Sequence, residues 1–444
     1  MFEFLKSIAL ILKPVLGPVW LVIKNWWWFP LPFILWKPFS FLWLWWRSDK
    51  FAKEVKPVLL EIKIPKEIVK PIRAMESVMN SLWQILYDPP DWWEKWIEGK
   101  ILLSYSFEIV SIGGNTHFFI RVPKANQEPV EAAIYSQYPE VEISVVDDYT
   151  QYVPKDIPNK EWDLWGADYK FAKPNPYPIR TYLDFETERE SVEEKRVDPL
   201  AVLLESMAKI KPGEQFWIQI IAGPITDKEI PWTEEGKKIK DELARRTKGT
   251  PPPQKPIILE AADVLITGEP PKSPEAKKEE ILPPEMKLTP GEREILSAIE
   301  RKITKRGFKT SIRFIYLGKK EVFFKPKLRL ALGFFSDFCT QHLNSLFPHG
   351  QPYITKIKKS WFLPLNLLIN RRLYLRKRSI FRKYKIRVNP KFPGKASWPS
   401  SFVLNTEELA SLFHFPGYGS APAPSLKRIE TKKGEPPANL PIDE

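Results

Sequence analysis

"LLSYSFEIVSIGGNTHFFIRVPK", residues 102–124, decides the class of fold. Two runs rich in β-branched and aromatic residues flank Gly113–Gly114, and a glycine pair between such runs signals a hairpin, because glycine accepts the positive φ of a tight turn. Downstream, "EPVEAAIYSQYP" (128–139) reads as a short helix and "VEISVVDD" (141–148) as a strand, completing a strand-strand-helix-strand unit. Upstream, a helix is expected from Pro65 to about Tyr87. Ile68, Ile72, Met75, Met79, Leu82 and Leu86 recur at steps of four and three, a narrow seam for packing on its own domain or on a coiled-coil partner.

A second set follows. A strand is expected near "YPIRTYLDF" (177–185), then the helix "DPLAVLLESMAKI" (198–210), a turn at Pro212–Gly213 and the strand "EQFWIQIIAGP" (214–224). Residues 231–290 change character. A charged helix near 234–247 leads into "GTPPPQKP" and "GEPPKSPEAKKEEILPPE", a linker or insertion without apolar periodicity. The chain resumes with the helix "GEREILSAIERKITKRG" (291–307), strands "FKTSIRFIYLG" (308–318) and "KEVFF" (320–324), and an apolar helix around 327–346. Strand, glycine turn, strand and helix here echo residues 102–138 and suggest a structural repeat. The expectation is an α+β fold with two ferredoxin-like lobes. Its parts are a membrane-anchoring segment (1–55), a first α+β domain (56–230), the linker (231–290), a second α+β domain (291–420) and a proline-rich tail (421–444).

The anchor rests on composition. Residues 1–46 hold eight of the eighteen tryptophans, among them Trp20, Trp26, Trp27, Trp28, Trp36, Trp43, Trp45 and Trp46. Residues 25–46 would reach about 33 Å as a straight helix, but Pro30, Pro32 and Pro38 are expected to break it. Tryptophan prefers the headgroup level of a bilayer, so a spanning or re-entrant hairpin and a membrane-lying segment both fit. No small-x-small cleavage site follows. Arg47, Lys50, Lys53 and Lys56 come next and place the body on the cytoplasmic side.

The whole chain is basic, +14 with a pI near 9.4, which favours acidic partners such as nucleic acid, anionic lipid or an acidic protein face. One cysteine, Cys339, excludes an intrachain disulfide. The Cys339-x-x-His342 pair lacks the second pair a zinc site needs and reads as core packing. Asp147–Asp148 point to opposite faces of a strand end and read as solvated rather than as an acid–base pair. No Walker motif and no Gly-x-Ser-x-Gly elbow occurs, so no enzyme, cofactor or metal is expected.

The strongest chemical signal lies in residues 356–391, with thirteen Lys/Arg and no Asp or Glu. Lys356, Lys358, Lys359, Arg371, Arg372, Arg376, Lys377, Arg378, Arg382, Lys383, Lys385 and Arg387, with Tyr374 among them, are candidates for contact with nucleic acid or an anionic surface. A solvated helix face is the plainer alternative. Further on, "SFVLNTEELASLFHFPG" (401–417) has Asn405 as a cap, Glu408 as its reciprocal partner, and Leu409, Leu412 and Phe413 as an apolar face. With Phe415, these residues are candidates for docking a partner.

Nine blocks occur in a telling order: "AMESVMNSL", "SFEIVSIGGNTHFFIRVPK", "VEAAIYSQYPEVEI", "YPIRTYLDFE", "DPLAVLLESMAKIKPGEQFWIQI", "IRFIYLGKKEVF", "HLNSLFP", "FVLNTEELASLFHFPG" and "KKGEPPANLP". Over residues 56–444, linker excepted, they resemble the region of unknown function that precedes the motor domain in HerA/FtsK-like conjugative DNA-transfer ATPases of bacterial type IV secretion systems. The resemblance implies a non-enzymatic component at the bacterial cytoplasmic membrane, its body facing the cytoplasm and docked on a P-loop ATPase carried by another chain. The alternative is a membrane-tethered nucleic-acid-binding protein that uses the basic stretch.

Overall fold

A computed structural model describes residues 24, 31–65, 70–185, 198–244, 288–350, 354–357, 368–387 and 401–417. The chain divides into two units. One comprises Met1–Lys56, Asp88–Ile101 and Pro390–Ala396, and the other Pro57–Tyr87, Leu102–Asn389 and Ser397–Glu444.

The first unit contains helix α1 (Leu31–Glu54), with a π-helical turn at Glu94–Glu98 packed on it. The expectation that Pro32 and Pro38 break this helix is corrected. Pro32 lies in the first turn, where its missing N–H has no helical partner to lose, and Pro38 removes one bond from a 24-residue helix. No residue of α1 is buried, and among the described residues no helix is long and apolar enough to cross a membrane. Trp20, Trp26, Trp27 and Trp28 lie outside the described residues.

The second unit is a mixed α+β body on one large antiparallel sheet. Its elements are β1 (Pro57–Lys63), α2 (Ile72–Leu86), β2 (Tyr105–Ile112), β3 (Asn115–Pro123), α3 (Gln127–Tyr135) and β4 (Glu142–Val146). Then come β5 (Trp162–Phe171), α4 (Tyr182–Phe185), α5 (Pro199–Ala208), β6 (Glu214–Ile225), α6 (Trp232–Leu243), α7 (Pro290–Thr304), β7 (Gly307–Lys319), α8 (Arg329–Ser336) and β8 (Leu346–Pro348). The last are α9 (Ile369–Ile386), β9 (Phe402–Asn405) and α10 (Thr406–Leu412).

The sheet order is β4-β1-β3-β2-β6-β7-β5-β8, with β9 also pairing β7. The first four strands stand in the order 4-1-3-2 of their own sequence, and the next four repeat that order as its mirror along the sheet. The two halves meet where each presents its second strand, β2 against β6, with Ile109 opposite Ile218. The repeat is therefore present, but at a different register from the expected one. The first half turns from its second to its third strand through Gly113 (φ 58°) and Gly114 (φ 96°). The second half carries α6, residues 245–287 (outside the described residues) and α7 at that point. "KEVFF" is a turn and loop, not a strand. The expected strand near 177–185 is a loop leading into α4, and the expected long helix at 327–346 is the shorter α8 followed by β8.

Strand alternation gives the sheet two buried faces. Leu60, Phe107, Phe118, Ile218 and Phe314 point to the side covered by α2, α3, α5, α8 and α10. Met75, Met79, Leu82 and Leu86 of the predicted seam are buried there, so α2 packs within its own body. Leu59, Val110, Phe119, Trp217 and Ile315 point to the other side. There they meet Tyr149, Val153 and Ile157 together with Ile380, Phe381 and Tyr384 of α9.

Candidate functional site: a basic helix over a polar ladder

One level of that second face is polar across four strands. Glu108 on β2 stands opposite Gln219 on β6, Gln219 opposite Arg313 on β7, and Arg313 opposite Asp168 on β5. All four are at most 2% exposed. Buried polar groups in such a row require partners, and the C-terminal end of α9 supplies several of them, leaving Asp168 Oδ1, Gln219 Oε1 and Arg313 Nε without a hydrogen bond among the described residues. The last carbonyls of a helix have no intrahelical donors. Here Arg313 Nη1 donates to Lys383 O (2.8 Å), Gln219 Nε2 to Tyr384 O (3.2 Å) and Arg121 Nη1 to Ile386 O (3.4 Å). Two of these donors are cations at the negative end of the helix dipole, which adds to the attraction.

Arg387 closes the arrangement. It takes a left-handed backbone (φ 49°), donates its N–H to Tyr384 O and turns its side chain back under the helix. Its Nε donates to Glu108 Oε1 (2.6 Å), Nη2 to Glu108 Oε2 (3.1 Å) and Asp148 Oδ1 (3.0 Å), and Nη1 to Asp148 Oδ2. Tyr149 donates to Glu108 Oε2 (2.8 Å), and its hydroxyl lies 2.7 Å from that of Tyr384. Burial and the charge of Glu108 push both hydroxyls well above their ordinary value, so they stay protonated. Burial pushes Asp148 upward, but the Arg387 guanidinium outweighs it and holds the carboxyl below its usual range. The expectation that Asp148 is solvated is thereby corrected: it is a partner of the clamp.

The clamp sorts the candidate cations. Arg387 is 3% exposed and neutralised from both sides, so its role as a phosphate contact is corrected to a structural one. Lys377 pairs with Asp163 at 2.5 Å. Lys383 lies 4.0 Å from Asp168, and Lys385 lies over the Phe381 ring. Arg376 donates to Lys356 O (3.1 Å), and Arg372 is half-buried. Arg371, Arg378 and Arg382 are exposed, at helix steps of seven and four, with Tyr374 on the same face and its hydroxyl 3.2 Å from Arg378 Nη1. Lys356 is exposed, while Lys358 and Lys359 lie outside the described residues.

Beneath α9, Asp168, Thr355, Arg376, Ser379 and Lys383 line a cavity of about 210 Å³. Asp168 lies 3.2 Å from Arg313 Nε, and burial pulls the Lys383 ammonium below its ordinary value. Ile354, Leu375 and Ile380 complete the lining, so the cavity is mixed in character and not a purely polar site. No cluster of His, Cys, Asp and Glu able to hold a metal occurs among the described residues. His342 faces Glu294 at 3.3 Å on the surface, away from the core assigned to it, and Cys339 accepts from Leu346 N (3.2 Å).

The expected docking residues are corrected more fully. The capping box of Asn405 and Glu408 is present, but Asn405, Glu408, Leu409, Leu412, Phe413 and Phe415 are all at most 3% exposed. Phe413 packs on Phe107 and Phe118, and Phe415 on Tyr138. Glu408 accepts from Lys302 Nζ (3.1 Å) and from the backbone of Ile179 (2.8 Å) and Asn405 (2.9 Å). The helix that invited a partner has found it in its own core.

Sequence reading missed the ladder. Its trace is visible in retrospect as one polar residue at an inward position within each apolar run: Glu108 in "SFEIVSI", Gln219 in "FWIQIIA" and Arg313 in "SIRFIYL". Residues 52–361 match the family described as Domain of unknown function (DUF8128), a stretch that includes the ladder and precedes α9. No curated protein matches the chain.

Proposed function

We propose, from the premise that this chain belongs to the Domain of unknown function (DUF8128) family, that it works as a non-enzymatic, membrane-tethered component of a DNA-transfer machine and touches nucleic acid through α9. The observation that carries this reading is the solvent-facing stripe of Arg371, Tyr374, Arg378 and Arg382, held on a helix whose opposite face is clamped to the sheet. A fixed row of guanidinium groups beside an aromatic ring suits phosphates and an unstacked base. The strand order 4-1-3-2 in each half supports two ferredoxin-like lobes as the frame that carries the helix. The resemblance of the sequence blocks to the region ahead of conjugative ATPases supports a place at the bacterial cytoplasmic membrane.

The test uses the purified full chain and a labelled single-stranded oligonucleotide across a salt series. Replacing Arg371, Arg378 and Arg382 together by glutamate is expected to weaken binding and to lower the slope of log K against log salt by about two, the value for three lost phosphate contacts on a single strand. Unfolding midpoints should stay unchanged, because all three side chains are exposed. An unaltered salt slope would sink the reading.

The second proposed partner is a P-loop ATPase on another chain, which the sequence resemblance favours. With α10 buried, that contact falls to other surfaces. Tagged protein from native membranes is expected to retain such an ATPase after nuclease treatment, and mass spectrometry recovering nucleic-acid-dependent proteins alone would remove it.

A further inference from the structure

The anchor is not built from the amino-terminal segment alone. "DWWEKWIEGK", residues 91–100, returns to α1 from later in the chain and lies along it. Trp96 stacks on Trp36 with ring centroids 6.5 Å apart, and Trp43 Nε1 donates to Trp96 O at 2.8 Å. At the far end Gly99 (φ 76°) lies so close to Arg47 that an added Cβ would stand 2.4 Å from its carbonyl carbon. The contact therefore runs from Trp36 to Arg47, about 16 Å of helix.

The two segments expose one chemistry. Trp36, Trp45 and Trp46 of α1 are 47–60% exposed, and Trp92, Trp93 and Ile97 are 68%, 57% and 38% exposed. The returning segment also carries Asp91, Glu94, Lys95, Glu98 and Lys100, interleaved with those tryptophans. Lys100 bridges Asp88 and Glu94 at 2.8 Å each. Charges at this density are excluded from the hydrocarbon centre of a bilayer, whereas tryptophan beside charge is the composition of the headgroup level. Because this charged segment is packed on it, the Trp36–Arg47 stretch of α1 is held at that level as well. The basic residues Arg47, Lys50, Lys53 and Lys56 that follow complement an anionic leaflet.

We infer that α1 and residues 91–100 together form a two-segment surface that lies in the headgroup–acyl boundary of an anionic phospholipid bilayer, with Trp92, Trp93 and Ile97 as a second inserted prong beside the helix. This rests on the reading above that the chain is membrane-tethered, and it adds which residues touch lipid and at what depth.

The test uses the full chain with Cys339→Ser and Trp93→Cys, labelled at residue 93 with an environment-sensitive fluorophore and mixed with phosphatidylcholine–phosphatidylglycerol vesicles. Floated protein should show a blue-shifted label, quenched more strongly by a nitroxide at the headgroup than by one near the end of the acyl chain. A label that stays in water on floated protein overturns the inference and leaves the tether standing. Strongest quenching from the bilayer centre overturns the interfacial placement. Failure of the chain to float overturns tether and inference together. A variant with Trp92→Ser and Trp93→Ser, both exposed and so neutral for folding, should bind vesicles about tenfold more weakly. Unchanged binding by that variant would also overturn the second prong.

Discussion

Replacing Arg387 by alanine is expected to lower the stability of the sheet-bearing unit by about 3–5 kcal/mol, the range for removing one member of a buried ion pair. Glu108 is fully buried, and Arg387 supplies its bidentate partner as well as both contacts to Asp148. With the guanidinium gone, Glu108 keeps Ser106, Tyr149 and Gln219 as donors, and it feels the Arg121 guanidinium only through its charge. Denaturant unfolding should show the loss, and hydrogen exchange should show α9 opening before the strands. The pH dependence gives a second readout. Asp148 titrates below the ordinary 3.8 in the folded chain, so its contribution is present above that value and is lost as pH falls through the folded pKa. The variant lacks the guanidinium that lowers it. The gap between the two proteins should therefore narrow below about pH 4. A gap that stays constant or widens in acid would show that Asp148 is not part of the clamp. Pairing Arg387→Ala with Glu108→Leu should cost less than adding the two single effects, because no lone buried charge remains.

Glu408→Ala is the second large expectation, again about 3–5 kcal/mol, and its pH signature runs the other way. Glu408 closes the capping box of α10, accepts from Ile179 N and holds Lys302 at 3.0 Å, with both side chains fully buried. Burial pulls Lys302 below its ordinary 10.5, while Glu408 pulls it back up. Without Glu408 the folded pKa of Lys302 falls further and the unfolded value stays. Between those two values the unfolded chain binds the extra proton, so stability rises with pH. The deficit of Glu408→Ala should shrink as pH is raised toward 10. Since α10 covers Phe107 and Phe118 through Phe413, its loosening should also expose apolar surface to a dye. A mild, pH-independent loss would mean that the buried pair contributes little.

These two clamps explain what could be read locally and what could not. The capping boxes of Asn405–Glu408 and Thr289–Glu292 need only four consecutive residues each, so the helix starts follow from sequence. The same holds for the Gly113–Gly114 turn, and for α2, α3, α5 and the long strands β6 and β7. Strands β1 and β5 escaped notice because "PVLLEIK" and "WDLWGADYKF" acquire their pattern only when both faces of a sheet are covered. One face of each run is largely apolar, and the other mixes a buried leucine, Leu59 or Leu164, with the charged Glu61 and Lys63 or Asp168 and Lys170. The exposed stripe of α9 was legible as part of a basic run, but its division into free and committed cations was not. Arg371 and Arg387 look alike in sequence. They differ because Arg387 follows the helix end and meets Glu108, a residue 279 positions away.

Composition and periodicity by themselves determined the α+β class, the tryptophan-rich amino-terminal segment and the basic run, since each is set by neighbours within a turn or a strand, whereas the repeat they suggested matched the wrong strands. Only the tertiary structure decided that the two repeats share one sheet through β2 and β6, that the second repeat carries its insertion between β6 and β7, and that α10 is core. It also decided that residues 91–100 join α1. The physical reason is the same in each case. Burial and partnership are properties of side chains brought together from distant positions, and a local pattern records only that a residue needs a partner, not which one it finds.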